Sequence, residues 1–458
     1  MADYFDRENT MKNHKRNLTI VTLLLLGSFS SFAQDLKRQG SFGIQFAPVP
    51  DAVKAQYRLI DGQGILVQRV VPDSSAQQGG ILAGDIILKI NDTNIKDVAQ
   101  FRSLAGGFRA GDQLQVVLLR DVKQLTKTFA LKPRPFETHP DFDILYQAVT
   151  VDGARRRVII TKPKQAGKHP AILLIPGTGC YSQENLAAYG RILYTLTQKG
   201  FVTMRVEKTG MGDSEGIPCS SPQADLQAET RGYVAGLRAL KDYPFVDGER
   251  VFIFGHSMGG IIAPIVAAES PVKGLIVAET VGTSWFTYEL ENLRRQLPMR
   301  GVAYDEVEKI VRQKEYCNRR LYIDNQTPEQ IAKDAPFCAQ LPIQPPAPYT
   351  YMRQVAALNI AEKWKPVDAP VLVIYGTSDF QTSADEHRYL TDAINSFHPG
   401  RATYVEIPNM DHSFETVPSQ REGMQRFLSD QPPGDFNPAI LAQMQSWLDE
   451  ILKRDKKI

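Results

Sequence analysis

Ser257, Asp379 and His412 are residue types that can carry nucleophilic catalysis, and each stands shortly after an apolar run. Ser257 is the centre of Gly255-His256-Ser257-Met258-Gly259, set between the apolar residues 251–254 and a helix-like run at 260–268. A serine on such a sharp strand-to-helix turn has its hydroxyl exposed, and glycines two residues to either side let the backbone double back. Serine is a poor nucleophile until a base takes its proton and a third group orients that base. The run 370–376 predicts a buried strand that delivers Asp379 in the loop beyond it, and 402–407 predicts another, followed by Pro408-Asn409-Met410-Asp411-His412. Of the seven histidines, His412 alone follows a late strand at this distance from the acid. His398 sits in a His-Pro-Gly turn, His387 on an expected helix, and His256 is the variable residue of the elbow. Asp379 could instead cap a helix over 383–390, since aspartate is a favoured N-cap. Asp411 and Asp385 are rival acids, the first adjacent to His412 and the second pointing from a helix.

Acyl transfer also needs donors for the oxyanion that forms on the attacked carbonyl, commonly backbone N–H groups. One is the amide of Met258. The apolar run 171–175 leads into Pro176-Gly177-Thr178-Gly179, a loop placed to offer a second. The order Ser, Asp, His with this loop resembles the α/β-hydrolase superfamily, in particular its esterase and serine-aminopeptidase-like branches, from about residue 146 onward. The resemblance implies a mostly parallel sheet flanked by helices, and implies that Thr178 donates the second amide. Residues 201–216 resemble the D-x-R-G-x-G-x-S turn of the same family, with Glu207 and Lys208 in place of the usual Asp and Arg. The glycines there miss both nucleotide-binding spacings.

The elements that position these residues form one of two parts. Upstream, Gly40 to Phe46, residues 64–76 and residues 80–91 resemble a bacterial PDZ domain, mainly β, of the kind found in periplasmic proteases. In that family a loop offers amides to a peptide C-terminus and the peptide adds as a strand. By resemblance Phe42, Gly43 and Ile44 carry that loop, while Val98, Phe101 and Arg102 wall the groove. The domains expected are a PDZ domain at 37–134, a proline-rich linker at 135–145 and the α/β-hydrolase domain at 146–458. The latter opens on two strands joined at Asp152-Gly153. From 283 to 365 the sheet pattern stops and helical segments at 288–297 and 305–314 predict a cap insertion. Trp285, Phe286, Tyr349 and Tyr351 are candidates to line its pocket.

At 458 residues the chain exceeds one usual core. Its 53 Lys and Arg against 51 Asp and Glu leave a net charge of +2, which offers nothing to nucleic acid. Lys12 to Arg16, an apolar stretch at 18–26 and Ser31-Phe32-Ala33 read as a signal peptide over 1–33, with Met11 an alternative start. The stretch is half a membrane span, so a periplasmic or secreted protein without a stable membrane anchor is expected. Export permits disulfides, and the four cysteines allow three pairings. Cys180 and Cys219 follow loops expected at one end of the sheet, and Cys317 and Cys338 share the insertion, so those two pairs are expected. No metal or other cofactor is expected, because no cluster has ligand spacing. The functional expectation is an exported serine hydrolase acting on small or medium acyl esters. The alternatives are a peptidase, and a peptide-binding adaptor with an inactive hydrolase domain.

Overall fold

The computed structural model describes residues 36–60, 63–184, 187–341, 346–429 and 434–454. The expected signal peptide lies outside them. Among the described residues no helix is long and apolar enough to cross a membrane.

The first part is a six-stranded antiparallel sheet, β1 (Ile44–Pro48), β2 (Ile65–Val70), β3 (Ile86–Ile90), β4 (Gln113–Arg120) and β5 (Lys123–Ala130) in that spatial order with the short strand Thr93–Asn94 paired to β3, and a helix α1 (Val98–Gly107). β1 is an edge strand. Alternation along β4 sends Leu114, Val116 and Leu118 into a core with Ile65, Val67, Ile87 and Phe129. Inside this sheet the Asp85 carboxylate meets Arg120 at 2.6 Å, so the buried charge is paired.

The second part is built on an eight-stranded sheet. Its strands are β6 (Phe142–Val151), β7 (Ala154–Pro163), β8 (His169–Ile175), β9 (Val202–Val206), β10 (Val246–His256), β11 (Gly274–Ala278), β12 (Val371–Gly376) and β13 (Ala402–Ile407). The order across the sheet is β13-β12-β11-β10-β8-β9-β7-β6. Strands β8 to β13 run parallel, and the β6–β7 hairpin joins antiparallel at one side. The hairpin turns at Asp152 and Gly153, both with positive φ (52° and 77°), as a two-residue primed turn requires. β11, β12, residues 171–175 of β8 and residues 251–255 of β10 are almost wholly apolar and buried because helices cover both faces. In β8, Leu173 and Ile175 pack on one side with helices α3 (Leu226–Asp242) and α4 (Met258–Glu269). Ile172 and Leu174 pack on the other with α2 (Ala187–Gln198) and the C-terminal helix at Ala439–Arg454. Each such side chain contributes roughly 1.5–3 kcal/mol on leaving water.

Between β11 and β12 the chain leaves the sheet as a helical cap, chiefly α5 (Trp285–Met299), α6 (Tyr304–Asn318) and α7 (Tyr349–Ala356). Leu293, Leu297, Val307 and Val311 give the cap its own small core, and a Cys317–Cys338 disulfide ties α6 to the segment beyond it.

Buried ion pairs join the two parts. Arg38, at the entry to the first, pairs with Glu184 at 2.6 Å and Asp213 at 2.9 Å. Asp213 also accepts from Arg157 at 3.0 Å and from the Gln39 N–H at 2.7 Å. Arg134 reaches Glu184 at 3.1 Å. Removing one partner from such a buried group strands charges without water. Asp213→Ala is therefore expected to destabilise the protein by about 3–5 kcal/mol, read from denaturant unfolding; a loss below about 1 kcal/mol would mean that Arg38 and Arg157 find solvent.

Candidate functional site

Sterics at the end of β10 create the site. Ser257 has φ 55° and ψ −121°, a strained conformation costing on the order of 1–3 kcal/mol. The turn closes so tightly that a Cβ on Gly255 would lie 2.6 Å from the Gly259 carbonyl oxygen, and one on Gly259 would lie 1.9 Å from that of Ile175. Only glycine fits either position. The serine is thereby held between the end of β8 and the start of α4.

His412, in the loop after β13, brings Nε2 within 3.1 Å of Ser257 Oγ, while its Nδ1 lies 3.0 Å from Asp379 Oδ2. Asp379 is fully buried in the loop after β12. It also accepts from the Gln381 N–H at 2.6 Å and from the Thr382 hydroxyl. Burial opposes its ionisation, but the His412 imidazole and these hydrogen bonds hold the carboxyl well below the usual carboxylate range. The N-cap of the following helix, α8 (Ala384–Phe397), is Ser383 and not Asp379. Asp411 points away, accepting the Ser413 and Glu415 N–H groups. Asp385 is on the exposed side of α8, paired with Arg388.

The loop 176–184 that carries Thr178 is fixed from several sides. Lys208 donates to the Gly177 carbonyl at 3.0 Å and pairs with the buried Glu229 at 3.1 Å. Glu207 accepts from the Ser182 hydroxyl at 2.5 Å and the Gln183 N–H at 2.8 Å, and burial pushes its carboxyl up to about 7. A Cys180–Cys219 disulfide links this loop to the glycine-rich turn. The two residues that depart from the family pattern in that turn are the ones that grip the loop.

His256, given no role in the sequence reading, closes a second set of links. The Gly177 N–H donates to the Tyr189 hydroxyl (3.2 Å), that hydroxyl to His256 Nδ1 (2.5 Å), and His256 Nε2 to the His412 carbonyl (3.0 Å). Burial, reinforced by the nearby His412, drives the His256 imidazole down to about 3, so it stays neutral. No local pattern announces this role, because its partners lie 67 and 156 residues away.

A cavity of about 220 Å³ opens beside Ser257, Thr178 and Met258. The cap contributes Trp285, Tyr288, Glu289, Asn292, Gln296 and Lys314 to it. Of the four aromatic candidates, Trp285 lines this cavity and Tyr351 a neighbouring one, whereas Phe286 and Tyr349 line neither. Tyr288, Phe380 and Phe427 were not foreseen, the last two coming from outside the insertion. A third lobe, around His412, is walled by Tyr181, Phe414 and Phe427.

In the first part, the residues expected around the peptide groove divide between the core and an edge strand. The Phe42 and Phe101 side chains are 7% and 2% exposed and pack edge to face at 5.7 Å, inside the core. Apolar rings of this size are worth more buried than lining a wet groove. Gly43, with φ 78°, cannot carry a Cβ, which would sit 2.1 Å from that of Ser74. Ile44 begins the edge strand β1, with Val98 partly buried on α1 opposite and Arg102 exposed, its guanidinium 5.6 Å above the Phe46 ring.

A family model described as Alpha/beta hydrolase family matches residues 172–422, and one described as PDZ domain matches residues 40–131. Esterase EstD of Thermotoga maritima is 24% identical over 250 residues, 53% of this chain and 54% of its own. Periplasmic serine endoprotease DegP of Escherichia coli is 32% identical over 95 residues, 21% of this chain and 20% of its own. The chain thus spans about half the length of that esterase and a fifth of that protease. The solved structure of Est1E from Butyrivibrio proteoclasticus aligns at a TM-score of 0.43 and 14% identity, covering 67% of this chain and 99% of that one.

Two outcomes follow from this geometry. Lys208→Met frees the Gly177 carbonyl and leaves Glu229 unpaired, and is expected to lower turnover about ten- to hundredfold through a displaced loop, measured by the rate of covalent labelling of Ser257. His256 titrates in the fold at about 3, against ~6.5 in the unfolded chain. Between those values the unfolded state takes up a proton that the fold refuses, so stability falls as pH drops below ~6.5, by at most ~1.4 kcal/mol per unit. Urea unfolding at pH 6.5 and 5 should show His256→Gln losing about 1.6 kcal/mol less than wild type over that interval.

Proposed function

The chain belongs to the alpha/beta hydrolase family and carries a PDZ domain, and from there we propose that it is an exported serine hydrolase that cleaves carboxylic esters of compact acyl groups. One observation carries the reading: a single imidazole lies within hydrogen-bond reach of both Ser257 Oγ and the buried Asp379 carboxylate. In this mechanism His412 Nε2 takes the Ser257 proton as Oγ attacks the ester carbonyl, and Nδ1–H donates to Asp379, which stabilises the imidazolium. The oxyanion rests on the Thr178 and Met258 amides, each worth on the order of 10²–10³ in rate. His412 then protonates the departing alkoxide, leaving an acyl group on Ser257. A water deprotonated by His412 repeats the sequence to release the acid.

The cavity on the cap side of Ser257, about 220 Å³, is smaller than a drug-sized pocket of ~300 Å³ or more, which favours a compact acyl group on that side, while the lobe around His412, also lined by Ser257, holds about 410 Å³. Its polar cap side, with Glu289, Asn292 and Lys314, disfavours a long alkyl chain. Esterase EstD, the relative matched over the longer stretch, supports ester over amide. A second reading, a peptidase, is favoured by the similarity to DegP, a serine endoprotease. For export, the support is the basic and apolar N-terminal sequence, the two disulfides, which persist in oxidising compartments, and the periplasmic location in DegP's name. Among the described residues no strand pairs with the outer edge of β1, which favours a reading in which a peptide C-terminus adds there as a strand, beginning at Gly43 and Ile44.

A fluorophosphonate probe is expected to label wild type and not Ser257→Ala, and short p-nitrophenyl esters to be turned over at least ~10³-fold faster by wild type. Labelling that persists in Ser257→Ala would contradict the assignment. Dominant turnover of aminoacyl or dipeptidyl amides would replace the ester reading with the peptidase one.

A further inference from the structure

Behind Asp379 lies a second buried carboxyl group that the hydrolytic steps above leave unused. Glu279 follows β11 directly and is completely buried. Its φ is 50°, a left-handed conformation that costs a non-glycine residue on the order of 1–3 kcal/mol. Its Oε1 accepts from the Gly376 N–H at 2.7 Å. That oxygen presses so closely on β12 that a Cβ on Gly376 would sit 2.8 Å from it. Among the described residues no N–H or O–H donor reaches Oε2. Polar atoms of Glu279, Asp379 and His412 lie within 4.8 Å of one another.

Two carboxylates this close in a dry site do not both ionise. The proton can be assigned from the neighbours. Asp379 receives hydrogen bonds from His412, the Gln381 N–H and the Thr382 hydroxyl, all of which favour its charge. Glu279 receives one, on Oε1. Burial and the Asp379 charge push the Glu279 carboxyl well above its ordinary range. We propose that Glu279 is a positioning residue for the reaction: as a neutral acid it donates its Oε2 proton to Asp379 and so fixes the carboxylate that orients His412. This rests on the triad reading above. An ionised Glu279 would instead set a second negative charge beside Asp379 and His412. Other titratable or charged groups around the pair are Asp411 beyond β13, Tyr375 on β12, His387 on α8, and Tyr288 and Arg295 on the cap helix α5.

Glu279→Gln keeps a neutral donor and the acceptor for Gly376, so its kcat and the acid limb of its kcat/KM profile are expected to stay close to wild type. Glu279→Leu removes the donor and is expected to lower kcat about ten- to hundredfold with KM little changed. An infrared protonated-carboxyl band that persists at about pH 9, where Glu207 with its carboxyl at about 7 is ionised, and that is missing in Glu279→Gln would support the assignment whether or not esters prove to be the substrate. That band therefore separates failure of this proposal from failure of the ester reading. Its absence from wild type would overturn the proposal. So would a Glu279→Gln acid limb moved to lower pH, the mark of a lost negative charge, or wild-type kcat in Glu279→Leu. Thermal melts establish that each variant is folded, and should Glu279→Leu not fold, the band and the Glu279→Gln profile decide.

Discussion

The site depends on a backbone that doubles back without room for a side chain. Gly259 lies against the Ile175 carbonyl and Gly255 against Gly259 itself, and this contact forces Ser257 into its strained φ. The strain is sustained because both flanks are buried sheet and helix: β10 and β8 are apolar on both faces, and α4 packs against them. A strained serine in a looser setting would relax and lose its aim.

From that turn, restraint spreads outward in layers. His412 sits on a loop whose carbonyl is held by His256, itself held by Tyr189, which also takes the Gly177 N–H. The Thr178 loop and the His412 loop are thus two ends of one chain of hydrogen bonds. The glycine-rich turn grips the first of them through Glu207 and Lys208. Through Asp213 that turn is joined to Arg38 of the PDZ part. The PDZ part is therefore bound to the same turn that shapes the active site.

Much of the fold is legible in the sequence, for physical reasons. Strands buried on both faces leave uninterrupted apolar runs, so the places of Ser257, Asp379 and His412 in the loops after β10, β12 and β13 can be read from them. The cysteine pairs could be named from the loops they follow. Long-range polar contacts leave no such trace. Glu279 looks like an ordinary residue after a strand, and His256 like filler within the elbow, because their meaning lies in partners distant along the chain. In the PDZ part, resemblance names Phe42 and Phe101 by position but not what their rings do: both fill the core of a small sheet.

The central claim is that Ser257 attacks a carbonyl whose developing charge is held by the Thr178 and Met258 amides. A crystal structure of the enzyme inhibited by a small alkyl phosphonate tests it directly. The account predicts phosphorus bonded to Ser257 Oγ, one phosphonyl oxygen within hydrogen-bond distance of both amides, and His412 Nε2 facing Oγ. An adduct on another residue, or one on Ser257 whose oxygen faces away from Thr178 and Met258, would contradict it.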